Sequence, residues 1–207
     1  LTFKHAISQI EPPSIQKIQD RKKKKLLLYA RPERHAGRNM FEVSILALKE
    51  AIRQQLLDTS EWDFYGIGSL EKISKKIYLA KDIELKLLKK MTYTQYTKSL
   101  SQYDIGISLM YAPHPSVPPL EMASAGMLTV TTTFENRDAS EMAAMSGNII
   151  AADNTVESIV SSIQKAVDSA NNYQSRCDNA NINWPTSWKQ SFDKKFDVQF
   201  DALGYEI

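Results

Sequence analysis

The stretch YDIGISLMYAPHPSVPPLEMASAGMLTVTT, residues 103–132, contains two apolar runs with a proline-rich loop between them. The runs at 104–110 and 127–132 are short and almost wholly apolar, which is typical of strands buried on both faces. Between them, PPLEMASAG predicts a helix with prolines in its first turn and Gly126 at its end. The stretch therefore predicts a strand, a loop, a helix and a second strand, which is the repeating unit of an α/β fold.

The rest of the chain alternates between predicted strands and helices in the same way. Four more apolar runs predict strands, at residues 26–30, 61–69, 75–80 and 148–152. Polar pairs with capping-box spacing predict the helix starts, at Asn39 with Glu42, Thr92 with Gln95, and Asn154 with Glu157. We therefore expect an α/β fold, a Rossmann-like doubly wound parallel sheet of about six strands with helices on both faces. In such sheets, ligands bind beyond the carboxyl ends of the strands, where the strand order reverses.

The pattern divides the chain into three segments. Residues 1–20 contain a Pro-Pro break and only weak periodicity, which predicts a linker or hinge. Residues 21–183 hold the predicted sheet and its helices. Residues 184–207 predict a C-terminal helix that packs on or closes the fold, with an aromatic stripe at Trp188, Phe192, Phe196 and Phe200.

The composition is that of a globular protein, but the charge is unevenly spread. Of the 207 residues, 43% are hydrophobic and 24% are charged. Residues 1–100 hold 20 Lys or Arg and 11 Asp or Glu, whereas residues 101–207 hold 6 and 13. The basic half, with the run RKKKK at 21–25, could meet an anionic phosphate, nucleic acid or membrane surface. The alternative, which we favour for the run itself, is a solvated approach to the next strand.

Some classes of protein are disfavoured by what the sequence lacks. No apolar run approaches the roughly 20 residues that span a bilayer, and the start has no secretory signal pattern. Cys177 is the single cysteine, so there is neither a disulfide framework nor a cysteine cluster for a metal. We therefore expect a reducing compartment, the cytoplasm, and no metal site.

The segment ARPERHAGRN, residues 30–39, is a candidate anion-binding loop. Arg31, Arg34 and Arg38 flank the predicted start of a long helix, and guanidinium groups and helix N-termini both suit phosphate oxygens. The segment has neither the Walker pattern nor G-x-G-x-x-G, so the usual nucleotide fingerprints are absent. An exposed loop with incidental arginines is an equally good interpretation of this segment alone.

Glu121 is the second candidate, because it lies near the head of a helix at the carboxyl end of a predicted strand. A carboxylate there could accept hydrogen bonds from two hydroxyl groups, such as those of a ribose. The simpler interpretation, favourable placement of an acid near a helix N-terminus, is somewhat better supported by the residues alone.

The long motif resembles a known family. The segment SLMYAPHPSVPPLEMASAGMLTVTTTFENRD, residues 108–138, is similar to the donor-binding segment of GT-B glycosyltransferases. It most resembles bacterial and archaeal rhamnosyltransferases of surface polysaccharide and S-layer glycan synthesis, in which S-P-H-P-S-x-P-P-L-E-M-A is followed by E-N-K-D. The early YARPE and RNMFE segments, within residues 29–42, are similar to that family's first strand, arginine loop and helix. The resemblance covers roughly residues 26–170.

The resemblance implies a role for each candidate residue in binding a nucleotide-sugar donor. Glu121 matches the carboxylate that holds the ribose hydroxyls, and Arg38 falls where basic residues meet the diphosphate. Arg31 or Arg34 could share that role, and Asn39 belongs to the same loop.

Three more side chains complete the implied donor site. His114 and Ser116 lie in the loop that faces the diphosphate and the sugar. The segment from Lys90 to Tyr96 falls where the base is held, so Tyr93 or Tyr96 could stack there, although a core role for one of them is equally compatible with the sequence.

One position departs from the wider GT-B pattern. Many related transferases carry E-x7-E with a glycine-rich loop after the first Glu, but Pro113 stands eight residues before Glu121. The rhamnosyltransferase-like group shares this departure. The stereochemical course of the E-x7-E enzymes therefore does not transfer to this chain.

The resemblance implies a glycosyltransferase that moves a sugar from a nucleoside-diphosphate sugar to a glycan or lipid-linked acceptor. The donor would be dTDP-rhamnose, with a UDP-sugar as second choice, and no cofactor or metal is expected. Residues 21–183 would form the nucleotide-sugar-binding domain, as the C-terminal half of a two-domain enzyme. The catalytic base would lie in an N-terminal domain outside this sequence, and residues 21–25 could give peripheral contact with the inner membrane face.

The alternative is a non-enzymatic nucleic-acid-binding or regulatory module that uses the basic N-terminal half. It predicts binding to polynucleotides that weakens steeply with salt. The glycosyltransferase interpretation instead predicts no nucleic-acid partner and stabilisation by dTDP or UDP.

Overall fold

The computed structural model describes residues 4–69, 76–135 and 137–192. Within these residues seven strands form, which are β1 (Lys24–Tyr29), β2 (Trp62–Ile67), β3 (Ile77–Ala80), β4 (Ile83–Leu87), β5 (Ile105–Ile107), β6 (Leu128–Thr132) and β7 (Ile149–Ala152). The helices of the same residues are α1 (Ile15–Gln19), α2 (Phe41–Arg53), α3 (Tyr93–Leu100), α4 (Val117–Ser124), α5 (Ala139–Met145), α6 (Val156–Ser169), α7 (Tyr173–Asp178) and α8 (Trp188–Ser191). A 3₁₀ turn, Arg34–Asn39, precedes α2.

The strands form one sheet in the order β3-β4-β2-β1-β5-β6-β7. All neighbouring strands are parallel except β3 and β4, which pair antiparallel at one edge. Strand β1 has β2 on one side and β5 on the other, so the strand order reverses between β1 and β5. The prediction of a Rossmann-like α/β sheet is confirmed, with seven strands where about six were expected.

The additional strand is β4, which the sequence pattern did not lead us to predict. Its sequence IELKL alternates apolar and charged residues, a pattern that indicates a half-buried strand rather than a fully buried one. Asp82, in the turn between β3 and β4, has a φ of 62°, which lets the chain reverse tightly. The predicted strand at 75–80 is β3 of this edge hairpin, although Lys75 lies outside the described residues.

Successive side chains of β1 enter cores on opposite faces of the sheet. Leu26 and Leu28 join the larger core, which α2 and α6 cover, whereas Leu27 packs against residues of α3 and α4 such as Leu100 and Met122. All three leucines are 0% exposed. Burial on both faces explains why β1 is a continuous apolar run rather than an alternating one.

The predicted helix starts have three different outcomes. Thr92 and Gln95 form a complete capping box at the start of α3, so that prediction is confirmed. Helix α2 begins one residue later than predicted, because Met40 with a φ of 48° is its N-cap and Asn39 makes no cap. Thr155, not Asn154, caps α6 by accepting a hydrogen bond from the Ser158 amide.

The chain before β1 contacts the rest of the fold over much of its length. Ile7 is 3% exposed in a core with residues of α4, α5 and β7. The Ile7 amide donates to the Pro185 carbonyl at 3.0 Å, and the Ile10 amide donates to Ser124 Oγ at 3.2 Å. These contacts place Ile7 and Ile10 against α4 and Ile7 also against Pro185, while the hinge role assigned to residues 1–20 stays a prediction.

The aromatic stripe near the C-terminus is only partly within the described residues. Trp188 begins the short helix α8 and stacks on Phe192, with ring centroids 5.7 Å apart. Phe196 and Phe200 of the predicted helix lie outside the described residues, as does Asn136 of the ENRD motif. Among the residues that the structure describes, no helix is long and apolar enough to cross a membrane.

Candidate functional site

A cavity of 490 Å³ opens where β1, β2 and the N-terminus of α4 meet. It lies at the carboxyl ends of the parallel strands, next to the point where the strand order reverses, as the α/β topology predicts. Apolar and aromatic side chains form most of the wall, and a few polar groups converge on it. The lining residues are Tyr29, Ile67, Gly68, Ser69, Lys89, Lys90, Met91, Tyr93, Tyr96, Ser116, Val117, Pro118 and Glu121.

Glu121 is the acidic group of this cavity and is 1% exposed. It is the fifth residue of α4, which begins at Val117 after the N-cap Ser116 and has two prolines in its first turn, as predicted. The Tyr93 hydroxyl donates a hydrogen bond to Glu121 Oε1 and also lies 2.8 Å from Ser8 Oγ. Helix α3 and the N-terminal segment therefore both reach the carboxylate.

Burial changes the proton affinity of this cluster. It raises the pKa of Glu121 above the usual carboxyl value, although the hydrogen bond from Tyr93 acts in the opposite direction. Burial and the nearby Glu121 raise the pKa of Tyr96 well above its usual value. The Tyr96 hydroxyl is buried beside Glu121. A ligand hydroxyl that donates to Glu121 would relieve part of the desolvation cost of this carboxylate.

Tyr93 and Tyr96 both line the cavity, so the structure brings the predicted aromatic pair to Glu121. Tyr93 is 54% exposed and its ring centroid lies 6.2 Å from that of Tyr96. Tyr96 also packs against the core on the α4 side of the sheet. Stacking on a base by either ring stays a prediction.

Arg31 lies beside the cavity but is engaged within the fold. Its Nε donates to Glu33 Oε2 at 2.9 Å, and its Nη1 lies 3.3 Å from the Tyr29 hydroxyl. A side chain at Gly68 would come within 3.4 Å of Arg31 Cδ. Tyr29 and Gly68 both line the cavity, so the guanidinium flanks it.

Arg34 and Arg38 lie on the exposed side of the 3₁₀ turn, where both are accessible to a ligand. The Arg38 carbonyl accepts a hydrogen bond of 2.7 Å from the Tyr111 amide, which links this turn to the loop after β5. Asn39 differs from the other predicted residues of this loop. It is 4% exposed and donates to the Ala36 carbonyl at 2.9 Å, so its side chain shapes the turn.

Ser116 and His114 lie on different sides of the proline-rich loop. Ser116, with a φ of 71°, precedes α4 and lines the Glu121 cavity. His114 lines a second cavity of 420 Å³, which also contains His5 and Trp184. The His114 ring is tied to the loop, because its Nδ1 accepts a hydrogen bond of 3.0 Å from the Ser116 amide.

Two groups near the site had no role assigned to their charge from the sequence, although Lys90 begins the segment predicted to hold the base. Lys89 and Lys90 are exposed and line the Glu121 cavity. The missed strand β4 presents them, because it ends at Leu87 and directs the following residues to the carboxyl edge of the sheet. Recognition of the IELKL alternation would have placed both lysines at that edge.

Arg137, from the ENRD motif, is the other missed group. It is 1% exposed and donates to the carbonyls of Met110, His114 and Thr132. Nothing in the sequence pattern predicts that this charged side chain is buried against the proline-rich loop. Its contacts come from the loop after β5 and from the end of β6, whose proximity only the fold determines.

The fold is that of the C-terminal domain of a GT-B glycosyltransferase. The sequence matches the family model described as WsaF, C-terminal domain over residues 24–164, and the chain belongs to that family. A comparison with curated proteins found no match.

Three solved structures illustrate the likeness in fold. The C-terminal domain of LpcC, a glycosyl transferase group 1 family protein from Francisella tularensis, has a TM-score of 0.59 at 12% identity, covering 84% of this chain and 92% of that one. WaaG, a glycosyltransferase involved in lipopolysaccharide biosynthesis, has a TM-score of 0.57 at 18% identity, covering 86% and 50%. TarM from S. aureus, in complex with fondaparinux, alpha-GlcNAc-glycerol and UDP, has a TM-score of 0.63 at 11% identity, covering 99% and 38%. The chain thus spans half or less of WaaG and TarM.

Proposed function

We propose that this domain binds the nucleoside-diphosphate part of a sugar donor in the Glu121 cavity, as the donor half of a glycosyltransferase. The observation that carries the proposal is the position of Glu121. Its buried carboxylate lines a cavity of 490 Å³ at the carboxyl edge of the sheet, beside the reversal of strand order. A carboxylate in such a cavity is suited to accept hydrogen bonds from the hydroxyl groups of a pentose.

The surrounding groups fit the remaining parts of such a ligand. The rings of Tyr29 and Tyr93 give the cavity aromatic walls against which a base can pack. The N-terminus of α4 offers the Val117 amide and a partial positive charge to a diphosphate, whereas Pro118 and Pro119 have no N–H to donate. Two cationic side chains could meet the diphosphate, Lys90 in the lining of the cavity and Arg38 on the exposed side of the 3₁₀ turn.

The reaction that we propose is attack of an acceptor hydroxyl oxygen on the anomeric carbon of the donor sugar. The bond between that carbon and the diphosphate oxygen breaks, and the diphosphate leaves with the bonding electron pair. Negative charge therefore builds on the diphosphate in the transition state, where the α4 N-terminus and the cationic side chains can stabilise it. We assign the acceptor site and the base that takes the hydroxyl proton to another domain of the whole enzyme.

The donor that we propose is dTDP-rhamnose, with a UDP-sugar as the second choice, and the acceptor is a glycan or a lipid-linked glycan. This assignment rests on the similarity of residues 108–138 to rhamnosyltransferases of surface glycans. A lipid-linked acceptor would bring the enzyme to the inner face of the cytoplasmic membrane. We propose that basic residues of the run at 21–25 assist such peripheral contact, although Arg21 is already bonded to Asp104.

Thermal stabilisation by nucleotides tests the proposed function. We expect dTDP and UDP, at ligand concentrations on the order of millimolar, to raise the Tm of the chain, since a ligand that binds only the folded state stabilises it. Glu121→Ala should remove the shift. Glu61→Ala is the matched control, because Glu61 is an exposed acid that precedes β2 at the opposite edge of the sheet. A folded wild-type chain that no nucleoside diphosphate stabilises would refute the proposal.

Binding to polynucleotides separates this function from a nucleic-acid-binding module. The donor-binding function predicts saturable binding of UDP or dTDP that competes with the corresponding nucleoside. A module that uses its basic half predicts instead binding to single- or double-stranded oligonucleotides, with a log-log salt slope of several units. Such a slope in the absence of nucleotide binding would favour the module.

A further inference from the structure

Arg137 is a buried cation that binds only carbonyl groups among the described residues. Its Nη1 donates to the His114 carbonyl at 2.6 Å. Its Nη2 lies 2.7 Å from the carbonyls of both Met110 and Thr132. Its Nε has no hydrogen-bond partner in the described part of the chain. One guanidinium therefore links two residues of the loop after β5, Met110 and His114, to Thr132 at the end of β6.

The charge of Arg137 is not neutralised by a neighbouring carboxylate. No ion pair of Arg137 occurs among the residues that the structure describes, and burial lowers its pKa without any opposing charged group. The group nevertheless stays protonated, since guanidinium pKa values lie far above neutrality. The other fully buried arginine, Arg176, differs in this respect because it pairs with Asp104 at 3.1 Å.

The loop that Arg137 holds leads directly to the candidate donor site. It runs from residue 110 to residue 116 and ends at Ser116, the N-cap of α4. Its Tyr111 amide donates to the Arg38 carbonyl at 2.7 Å. The position of the loop therefore sets the α4 N-terminus and helps to set the turn that carries Arg38.

The loop also lies between Arg137 and the Glu121 cavity. Pro113, His114 and Arg137 line the second cavity, whereas Ser116 and the residues after it line the first. The guanidinium thus contacts the loop from the side opposite to the donor site. It lies outside the proposed nucleotide site, but its charge, which has no ion pair among the described residues, is separated from that site by the loop.

We infer that Arg137 is a positioning residue for the donor diphosphate, an inference that rests on the proposed function. It fixes the 110–116 loop, so that the α4 N-terminus and Arg38 face the same point. Its unpaired charge also makes that point more positive. Both effects favour an anion over a neutral ligand, so Arg137 should matter for a nucleoside diphosphate and not for the corresponding nucleoside.

Substitution by lysine and methionine separates these two effects. Arg137→Lys keeps the charge but cannot reach three carbonyls with a planar fork, and Arg137→Met removes both charge and hydrogen bonds. Dissociation constants for UDP, dTDP, uridine and thymidine are measured by titration calorimetry, using competition for weak ligands. Arg176→Lys is the matched control. It alters a buried arginine whose hydrogen bonds go to Gly126, Ala170 and Asp104 and not to the loop.

We expect Arg137→Lys to raise the Kd of the nucleoside diphosphates about tenfold and Arg137→Met to raise it further, as the loss of a charge-assisted hydrogen bond predicts. The Kd values of uridine and thymidine should change less than twofold. Arg176→Lys should lower the Tm while leaving the ratio of nucleoside to diphosphate affinity as in the wild type. Equal losses for diphosphate and nucleoside in the Arg137 variants would overturn the inference.

Hydrogen exchange gives a readout of the loop that needs no ligand. In Arg137→Lys, the Met110 and Tyr111 amides, bonded to Thr132 Oγ1 and the Arg38 carbonyl, should exchange at least tenfold faster, with the amides of β1 unchanged. Unchanged exchange of the Met110 and Tyr111 amides would disprove the positioning role.

If the wild type binds neither UDP nor dTDP, the proposed function fails and the inference fails with it. If the wild type binds them and the Arg137 variants bind equally well, only the inference fails.

Discussion

The Tyr93 hydroxyl donates a hydrogen bond to Glu121, the carboxylate at the centre of the candidate site. The same hydroxyl lies 2.8 Å from Ser8 Oγ, in the segment that precedes the sheet domain. One acceptor oxygen of Glu121 is therefore already used inside the protein. We predict that a ligand hydroxyl displaces Tyr93 from this oxygen, which would couple donor binding to the contact between Tyr93 and Ser8.

Tyr93→Phe tests this competition, because it removes the hydroxyl and keeps the ring. We expect the Tm in the absence of ligand to fall slightly, by the equivalent of about 1 kcal/mol for one hydrogen bond. The affinity for UDP or dTDP should rise severalfold, since the ligand no longer displaces the hydroxyl. Tyr78→Phe, an exposed tyrosine on β3, is the control. If Tyr93→Phe weakens binding as much as Tyr93→Ala, the hydroxyl contacts the ligand instead of competing with it.

The raised pKa of Glu121 predicts how stability changes with pH. Its pKa in the folded state lies above its ordinary value, so the folded chain binds this proton more tightly than the unfolded chain. Its contribution to stability is therefore fully present below the ordinary carboxyl pKa and is lost as the pH rises through the folded value. We expect the Tm of the wild type, relative to that of Glu121→Gln, to fall as the pH rises above the ordinary carboxyl pKa of about 4.5.

Calorimetric scans over that pH range measure the difference, with Glu61→Gln as the control for the loss of one carboxyl group. A difference that instead grows with pH would mean that Glu121 is ionised favourably in the folded state. Hydrogen bonds within the protein would then stabilise the ionised carboxylate, and a role in binding a ligand hydroxyl would not be needed to explain its burial.

The sequence predicted the sheet and the neighbourhood of the site better than the contacts within it. The apolar run of β1 predicts a strand directly, because a strand buried on both faces is a continuous apolar run. The proline-rich segment predicts where β5 ends and α4 begins, because proline is excluded from helix interiors but tolerated in the first turn. The contact between Tyr93 and Glu121 joins residues 28 apart in sequence, and only the packing of α3 against α4 creates it. His114 and Ser116 are near neighbours in sequence, yet they line different cavities because their side chains leave the loop in different directions.

Gly126 occupies a position that disfavours any other residue. It ends α4 with a φ of 79°, and a Cβ there would lie 2.9 Å from Pro12 Cβ, so its predicted role at the helix end is confirmed. Gly126→Ala should destabilise the fold by about 1–2 kcal/mol from backbone strain alone, with more from the contact with Pro12. Urea denaturation of this variant and of Gly37→Ala measures the effect.

Gly37 is the matched control, because a Cβ there would meet no atom within 4 Å. Its substitution should change the free energy of unfolding by no more than about 0.5 kcal/mol. Equal losses in the two glycine variants would show that general loop rigidity, not the left-handed conformation at Gly126, determines the effect.

Asp104 directly precedes β5 and binds two arginines, so its substitution should strongly lower the free energy of unfolding. Its Oδ1 accepts from Arg21 at 2.6 Å and from Arg176 at 3.1 Å, and its Oδ2 accepts from the Lys25 amide at 2.9 Å. Asp104 is 1% exposed and Arg176 is 2% exposed. Asp104→Asn would leave two guanidinium groups close together without their carboxylate, so we expect a loss of about 3–5 kcal/mol in the free energy of unfolding.

Asp63→Asn is the matched control for this change. Asp63 pairs with Lys86 at 3.4 Å, and the two side chains are 30% and 55% exposed, so its substitution should cost less than about 1 kcal/mol. Urea denaturation compares the two variants. Arg21 belongs to the run at 21–25, so a large loss in Asp104→Asn shows that the fold itself uses the first charge of that run. A loss as small as that of Asp63→Asn would free Arg21 from this role and leave the whole run for an anionic partner.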